Sequence, residues 1–305
     1  MRVCLVGEPA GWHMGRLAAA IAARGHDAAM VRWSEFSAEV ATDAPGIGPA
    51  AVAEADVVVV RGMPGTSPPQ DRLEEVVFRM DLLARIAAAG TPVVNAPRAL
   101  EIAIDKYLSL DLLSTAGLPV PRTVVLQDSR EIGPTLERLG GEGVLKPLFG
   151  SRGRGLERLS LAAGPAPPLA GPDRGRVFYL QEFVPNAGFD VRILVVGDRL
   201  FAIRRIARAG DWRTNVSLGG RPEPFDPPVA WSDMARRAAA ALGAEVAGVD
   251  LLPATDGRVL VLEVNAVPGW RGLEAATGAD VTEVVARHVE MAAKRRVGGR
   301  TAALE

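Results

Sequence analysis

The sequence predicts a protein in two parts, an N-terminal doubly wound α/β domain followed by an antiparallel-rich α+β part. In residues 1–97, short apolar runs such as 55–62 alternate with helical segments, which is typical of a parallel sheet covered by helices on both faces. Later in the chain, 189–206 and 246–265 each have the pattern of an apolar hairpin with a central turn. A chain of 305 residues is long enough for roughly two domains.

In the N-terminal part, predicted strands alternate with predicted helices. In chain order the apolar patterns predict a strand at 2–6, a helix at 14–24, strands at 26–33 and 55–62, a helix at 71–89 and a strand at 91–95. Gly25 and Gly90 mark the ends of the two helices, since glycine readily takes the left-handed conformation that stops a helix. These signals place an α/β domain at 1–97.

The second part mixes hairpins with single helices. We expect, in chain order, a helix at 99–117, a strand at 119–128, a weaker helix at 129–140, strands at 143–150 and 177–184, a hairpin at 189–206 turning at Gly197-Asp198, a polar loop at 208–228, a helix at 231–242, a hairpin at 246–265 turning at Asp256-Gly257, and a helix at 279–294. The Pro- and Gly-rich stretch 163–176 is expected to be a surface loop. Residues 297–305 are expected to be a flexible tail.

Composition excludes several classes of function. Lys and Arg number 35 and Asp and Glu 36, so the net charge of −1 gives no electrostatic reason to expect nucleic-acid or membrane binding. Cys4 is the only cysteine and cannot form an internal disulfide, which favours a reducing, cytoplasmic location. One cysteine and three histidines (His13, His26 and His288) cannot build a His/Cys zinc site, so any metal is expected to be a hard ion bound by oxygen. The N-terminal apolar run is too short for a signal peptide, and no run reaches the length of a membrane span.

The hairpin at 246–265 carries the sharpest chemical signal. With a two-residue turn at Asp256-Gly257, Asp250 faces Glu263 and Gly248 faces Asn265, so two carboxylates and an amide converge on one face. The flanking residues are apolar, and two facing carboxylates repel each other unless a proton or a cation lies between them. Oxygen ligands of this kind suit Mg²⁺. An acidic pair at a solvated strand end and a proton-sharing dyad are the alternatives.

Two segments have features of a phosphate site. Lys146 ends a strand and is followed by the glycine-bearing loop 149–155, whose backbone N–H groups and Ser151 hydroxyl are suited to an anion. The alternative is a Gly-rich hairpin tip next to an ordinary lysine. Lys106 lies in the predicted helix 99–117, where a lysine usually covers a solvated face.

Polar residues on the neighbouring strands complete the set of candidates. In the segment 179–185 a predicted strand ends with Gln181 and Glu182, before the apolar Phe183 and Val184. Such an edge suits an adenine and a ribose, and an edge strand with exposed polar residues is the alternative. In the hairpin 189–206, Asp190 is expected to oppose Arg205 and to share a face with Arg192. Arginines beside a metal site suit phosphoryl transfer, although isolated pairs of this kind are often surface ion pairs.

The order of the motifs along the chain is more informative than any single motif. They run Lys106; Lys146-Pro-x-x-Gly150-Ser151-x-Gly153-x-Gly155; Gln181-Glu-Phe-Val184; Asp190-x-Arg192; Arg213-Thr-Asn215 with Gly219-Gly220; Gly248-x-Asp250; and Glu263-Val-Asn265-x-x-Pro268-Gly269. This order resembles the ATP-grasp superfamily and, within it, the RimK-like carboxylate–amine ligases. The resemblance covers residues 100–290, and residues 1–97 look like the accessory α/β domain of that superfamily.

The resemblance implies a two-subdomain ATP-grasp fold at 98–296, with a lid-type subdomain at 119–185 and a C-terminal subdomain at 186–296. The nucleotide-binding residues it implies are Lys106, Lys146, Gly150, Ser151, Gly153, Gly155, Gln181, Glu182, Phe183, Val184 and Asp190. Asp250, Glu263 and Asn265 would hold Mg²⁺, with two ions bridged by Glu263 and Mn²⁺ as a substitute. Arg205, Arg213 and Asn215 would steady the γ-phosphate or the developing acyl phosphate.

The same resemblance implies an ATP-dependent ligase that forms an amide through an acyl phosphate. The expected amine is an amino acid, glutamate above all, and the expected acid is a small coenzyme such as a methanopterin-type pterin. Alternatives are a ligase acting on a ribosomal or carrier-protein tail, a kinase-type enzyme and a non-catalytic nucleotide-binding protein. We expect a homo-oligomer without nucleic-acid or membrane partners. The loop 7–13 at the end of the first strand is a candidate for part of the substrate site, although Trp12 and His13 are equally suited to packing within that loop.

Overall fold

A computed structural model describes residues 1–40, 46–62, 73–150, 155–163 and 177–301. The strands are β1 Arg2–Val6, β2 Asp27–Val31, β3 Ser37–Ala38, β4 Ile47–Gly48, β5 Val57–Val60, β6 Val93–Val94, β7 Thr123–Leu126, β8 Glu142–Lys146, β9 Glu157–Ser160, β10 Phe178–Glu182, β11 Phe189–Val196, β12 Arg199–Ile206, β13 Arg221–Pro224, β14 Val246–Pro253 and β15 Val259–Asn265. The helices are α1 Trp12–Ala23, α2 Ala50–Ala53, α3 Leu73–Ala88, α4 Pro97–Ile104, α5 Lys106–Thr115, α6 Ile132–Arg138, α7 Val229–Ala241, α8 Arg271–Thr277 and α9 Val281–Thr301. No helix in these ranges is long and apolar enough to cross a membrane.

The N-terminal sheet is parallel, with the strand order β2-β1-β5-β6. Because side chains alternate along a strand, Val3 and Val57 pack into one hydrophobic cluster with α1 and α9. Cys4 and Val58 point the other way, into a cluster with α3 and α4. Helices therefore cover both faces, which confirms the predicted doubly wound architecture. The domain boundary at residue 97 stays a prediction.

The second sheet is antiparallel, with the order β7-β10-β8-β9. Leu145 and Leu180 pack with Leu136 of α6 in a small cluster of their own. The alternate residues Lys146 and Gln181 consequently lie on the opposite face of the sheet. This sheet falls within the range predicted for a lid-type subdomain.

The third sheet has the order β13-β12-β11-β14-β15 and is also antiparallel. Val191, Val249 and Val264 lie on its core face, in the hydrophobic cluster that also contains Cys4 and Val58 of the parallel sheet. The N-terminal sheet and the third sheet therefore share one continuous core, whereas the second sheet has a separate one.

Asn95 joins the parallel sheet to the third sheet and is only 1% exposed. Its Nδ2 donates hydrogen bonds to the carbonyl oxygens of Val246 at 2.7 Å and Ala266 at 2.6 Å. Its Oδ1 accepts hydrogen bonds from the backbone N–H groups of Glu245 at 2.7 Å and Val246 at 2.9 Å. One buried amide thus satisfies four backbone groups that have lost their contact with water.

The predicted helix 99–117 is wrong in one respect, because it is two helices that separate at Asp105. The backbone of Asp105 is extended, with φ −95° and ψ 107°. Its carboxylate accepts hydrogen bonds from the N–H groups of Tyr107 and Leu108, as an N-cap residue does. Lys106 is therefore the first residue of α5 rather than a residue in the middle of a helix.

The hairpin at 189–206 has its predicted two-residue turn, since Val196 pairs with Arg199 around Gly197-Asp198. The turn predicted for the other hairpin is wrong. Its loop has three residues, 255–257, because the N–H of Ala254 donates to the carbonyl of Arg258 and Gly257 has φ +88°. A bulge at Leu262 takes up the difference in register, so Asp250 still pairs with Glu263 and Gly248 with Asn265.

Other departures lie in loops and ends. The predicted polar loop 208–228 contains β13, whose sequence Arg-Pro-Glu-Pro lacks apolar alternation and which pairs as an edge strand with β12. Helix α8 follows β15 in a stretch for which no element was predicted. Helix α9 continues to Thr301, into part of the predicted flexible tail. Residues 302–305 and most of the predicted loop 163–176 lie outside the described residues.

We predict that Asn95→Ala lowers the free energy of unfolding by about 3–5 kcal/mol, because it leaves buried backbone donors and acceptors without partners. Urea unfolding of the two proteins measures the difference. Gln127→Ala, which removes an exposed amide, is the matched control and should stay within about 0.5 kcal/mol of the wild type. Equal losses in both variants would contradict the role given to Asn95.

Candidate active site

A cleft lies between the inner faces of the second and third sheets. Its volume is about 930 Å³ with the open mouth included. The candidate residues that line it are Lys106, Lys146, Gly150, Gln181, Glu182, Phe183, Val184, Asp190, Arg205, Arg213, Asn215, Asp250 and Glu263. Gly155 and Asn265 are not part of this lining. Ser151 and Gly153 lie outside the described residues.

Asp250 lies at the centre of the cleft floor and is only 2% exposed. Arg192 donates two hydrogen bonds to its carboxylate, each 2.6 Å long, and Nη2 of Arg205 lies 2.9 Å from Oδ2. Burial by itself would raise the pKa of Asp250, but the two guanidinium groups outweigh burial and hold it well below its usual value. The cation required by the facing carboxylates is therefore arginine in this structure. Asp250 is buried while Glu263 is partly exposed, so the pair is not solvated throughout. The two arginines beside Asp250 favour its charged form over a proton shared with Glu263.

Arg205 links Asp250 to a second buried acid. Its Nε lies 2.7 Å from Oδ1 of Asp190, and its Nη2 also pairs with that carboxylate. Thr214 donates its hydroxyl to Asp190 at 2.6 Å. Burial would lower the pKa of Arg205, but Asp250 and Asp190 raise it further. The side chain of Asp190 thus orients Arg205. Thr214 was missed, although it stands between Arg213 and Asn215 in a motif that the sequence singled out.

Glu263 and Asn265 complete the carboxylate hairpin. The Glu263 side chain is 41% exposed, and its Oε1 lies 3.7 Å from Nη2 of Arg192. Asn265 donates Nδ2 to the same oxygen at 3.0 Å. Two carboxylates and an amide oxygen on one sheet face are a suitable donor set for Mg²⁺. A metal ion at this position competes with Arg192 for the oxygens of Asp250.

The described residues contain no cluster of three or more acidic, histidine or cysteine side chains able to hold a metal. This agrees with the three predicted metal ligands, of which only Asp250 and Glu263 are acidic. The third member, Asn265, contributes an amide oxygen.

The opposite wall of the cleft carries two lysines. Lys146 donates Nζ to Oε1 of Gln181 at 2.6 Å, and Nε2 of Gln181 donates to the Thr123 hydroxyl at 2.9 Å. Burial lowers the pKa of Lys146 to about 8, against the attraction of Glu263. Lys106 donates Nζ to the carbonyl of Gly150 at 2.9 Å. Its pKa is also lowered by burial, so the solvated-face alternative for Lys106 is wrong.

The remaining wall is aromatic and polar. Phe183 and Trp212 meet edge to face with their ring centroids 5.9 Å apart. Glu182 accepts a hydrogen bond from the backbone N–H of Arg122 at 3.1 Å. Arg213 lines the cleft but is paired with Asp211 at 2.9 Å. The place of Trp212 in the cleft lining could not be predicted from the sequence, because a single tryptophan in a polar loop gives no periodic signal.

Lysines that are partly removed from water face two carboxylates across this cleft, which is the arrangement that a metal-bound polyphosphate requires. The fold and the site therefore define a nucleotide-dependent enzyme built on two antiparallel sheets. A family model described as the RimK-like ATP-grasp domain matches residues 103–289 of the sequence. The chain belongs to the RimK-like ATP-grasp family.

Relatives and solved structures agree with this family. The chain is 30% identical to a tetrahydromethanopterin:alpha-L-glutamate ligase of Methanosarcina acetivorans, over 85% of this chain and 89% of that protein. It is 37% identical to a probable alpha-L-glutamate ligase of Xanthomonas campestris, over 69% of this chain and 74% of that protein. The ATP-grasp ligase PsnB, solved with a minimal precursor, superposes with a TM-score of 0.74 at 26% identity, over 96% of this chain and 99% of that one. The protein is an ATP-dependent ligase that forms carbon–nitrogen bonds.

We predict that the affinity for ATP falls as the pH rises above about 8, because Lys146 then loses the charge that attracts phosphate. Lys146→Arg keeps a charge at every accessible pH, so it should remove this pH dependence. Lys146→Met should weaken binding by roughly 10- to 100-fold and also give a flat profile. Titration calorimetry across pH measures these affinities. Identical profiles in the wild type and Lys146→Arg would contradict the assignment.

Proposed function

We propose that this protein joins the amino group of glutamate to a carboxyl group of a small coenzyme, such as a tetrahydromethanopterin-type pterin. The observation that carries this proposal is the pair of opposed carboxylates, Asp250 and Glu263, facing Lys146 and Lys106 across a single cleft. The similarity to a tetrahydromethanopterin:alpha-L-glutamate ligase, which extends over most of both chains, supports the choice of substrates.

The proposed reaction has two steps. A substrate carboxylate attacks the γ-phosphorus of ATP, ADP leaves, and an acyl phosphate forms. The glutamate amine then attacks the acyl carbon, loses a proton, and expels phosphate as the amide bond forms. Lys106 and Lys146 bind the phosphates, while Arg205, Arg213 and Asn215 neutralise charge at the transferring group. The strand edge at Gln181–Val184 binds the adenine and the ribose.

Asp250, Glu263 and Asn265 are proposed to hold the magnesium that ATP carries. When bound, Mg²⁺ neutralises charge on the phosphates and aligns them for in-line transfer. A second ion bridged by Glu263, and Mn²⁺ as a substitute, belong to the same proposal. Arg192 donates one hydrogen bond to each oxygen of Asp250, so the ion would share this carboxylate with Arg192. The homo-oligomeric assembly, the cytoplasmic location and the absence of nucleic-acid partners stay predictions of the sequence.

We predict that ADP release requires both a carboxylate acceptor and glutamate. The product should gain the mass of one or more glutamyl units, which mass spectrometry measures across a panel of pterin and other coenzymes. Steady ADP release with the acceptor alone would indicate a kinase-type transfer. No ADP release with any acceptor in the panel would contradict the proposed function.

A second prediction concerns the metal ligands. Glu263→Gln should reduce turnover by roughly 100-fold or more and weaken the response to Mg²⁺, while its melting temperature stays close to that of the wild type because the side chain is partly exposed. Asp250→Asn should also lose turnover. It should in addition lose about 3–5 kcal/mol of stability, since two arginines lose their buried counter-charge.

Asp256→Asn is the matched control, because Asp256 lies in the loop of the same hairpin and outside the cleft lining. It should leave both turnover and the magnesium response unchanged. A Glu263→Gln variant with the wild-type magnesium response would remove Glu263 from the proposed ligands.

A further inference from the structure

Arg61 lies at the carboxyl end of β5 and carries a charge that no described carboxylate neutralises. Its Nε is buried and has no hydrogen-bond partner. Its Nη2 donates to the carbonyl of Pro268 at 2.7 Å, and its guanidinium lies 4.3 Å from the ring centroid of Trp270. Burial lowers the pKa of Arg61 to about 9. None of these contacts supplies a negative charge.

Arg61 as a whole is partly exposed, but its Nε is buried, and a cation partly removed from water without a counter-charge is energetically unfavourable. The contact with the Trp270 ring offsets only part of this penalty, since a cation–π interaction contributes about 0.5–2 kcal/mol. The arginines at the cleft floor show the usual solution, because Arg192 and Arg205 each bind a buried carboxylate. Arg61 has no such acidic partner among the described residues, so its guanidinium is available to the anion of a ligand.

The position of Arg61 in the fold agrees with a ligand site. From β1 the chain runs to β2 on one side and later to β5 on the other, so the β1–β5 junction is the switch point of the parallel sheet. Open α/β sheets bind ligands at this junction, beyond the carboxyl ends of the strands. Helix α1 begins there at Trp12, with no side-chain cap and no acidic residue in its first turn. Its N-terminal N–H groups therefore add to the positive potential.

Further cations and aromatic rings surround the same point. The guanidinium groups of Arg16 and Arg271 each lie 5.8 Å from the ring centroid of Trp12, and Arg16 approaches Glu274 at 3.9 Å. Nε2 of His13 accepts the backbone N–H of Trp270 at 2.9 Å, which fixes the loop at 7–13 against the segment after β15. His13 thus packs within the loop region, as the alternative prediction for it stated.

The segment after β15 connects Arg61 to the catalytic cleft. Pro268, which accepts from Arg61, follows Asn265 by three residues. Its Cβ lies 3.1 Å from where a Cβ on Gly248 would stand, and Nε of Arg192 lies 3.7 Å from that same point. The residue that accepts the hydrogen bond of Arg61 therefore also packs against the carboxylate hairpin.

We propose that Arg61, with Arg271 and the N-terminus of α1, binds a carboxylate of a glutamyl group and so holds a substrate against the cleft. This inference rests on the proposed ligase function. The carboxylate belongs either to a glutamate-tailed acceptor or to the incoming glutamate, and the chemistry at Arg61 is the same for both. Arg61 is thus a substrate-binding residue outside the nucleotide cleft.

Titration calorimetry on the full chain with ADP and Mg²⁺ tests the proposal, using N-acetyl-L-glutamate for the acceptor tail and L-glutamate for the amine substrate. Arg61→Gln should weaken binding of at least one of them by about 10- to 100-fold, the loss expected for charged hydrogen bonds. Arg61→Lys should restore part of the affinity. Arg236→Gln, an exposed arginine on α7, should change nothing.

The probe that loses affinity identifies the source of the carboxylate. ADP affinity should be unchanged in every variant, which shows that the fold is intact. Equal binding of both probes to the wild type and Arg61→Gln, or no binding of either probe to the wild type, would overturn the proposal. If the probes bind through Arg61 but no acceptor is ever glutamylated, the anion site stands and the proposed ligase function fails.

Discussion

Arg192, Asp250, Arg205 and Asp190 form a continuous chain of ion pairs across β11, β12 and β14, in which Arg192 is partly exposed and the other three are buried. Removing one partner of a buried ion pair typically destabilises a protein by about 3–5 kcal/mol. The strands fix the members by register, because Asp190 opposes Arg205 and Arg192 opposes Asp250. The network therefore holds Asp250, the proposed metal ligand, in place without any bound ligand.

The wall of the cleft that faces this network carries two lysines. Lys106 and Lys146 are partly removed from water, and burial lowers the pKa of both. A polyphosphate would restore the negative charge that these lysines lack, while its metal would satisfy the carboxylates of the floor. Because the second sheet packs mainly on α6 in a small core of its own, the two walls are attached to different hydrophobic clusters. In the proposed function, a bound nucleotide and its metal would supply the charges that complement both walls.

The N-terminal sheet packs directly against the sheet that forms the floor of the cleft. Asn95 joins it to the third sheet through four hydrogen bonds, two with Val246 of β14 and one each with Glu245 and Ala266, and the shared hydrophobic cluster continues into the third sheet. These contacts place the switch point of the parallel sheet, with Arg61, beside the segment that follows Asn265. The proposed nucleotide site and the proposed carboxylate site therefore lie on different sheets, which Asn95 and the shared hydrophobic cluster hold together.

The sequence by itself determined the fold class, most elements and the convergence of Asp250 with Glu263, because hydrophobic periodicity and turn residues are local signals. Even there, the correct carboxylate pairing came from an incorrect turn, since the three-residue loop and the bulge at Leu262 cancel each other. Only the tertiary structure decided that Arg192 and Arg205 neutralise Asp250 and that Asp105 separates two helices. The importance of Trp212 and Arg61 was likewise invisible, because burial and the absence of a partner are properties of residues distant in the chain, which no local pattern records.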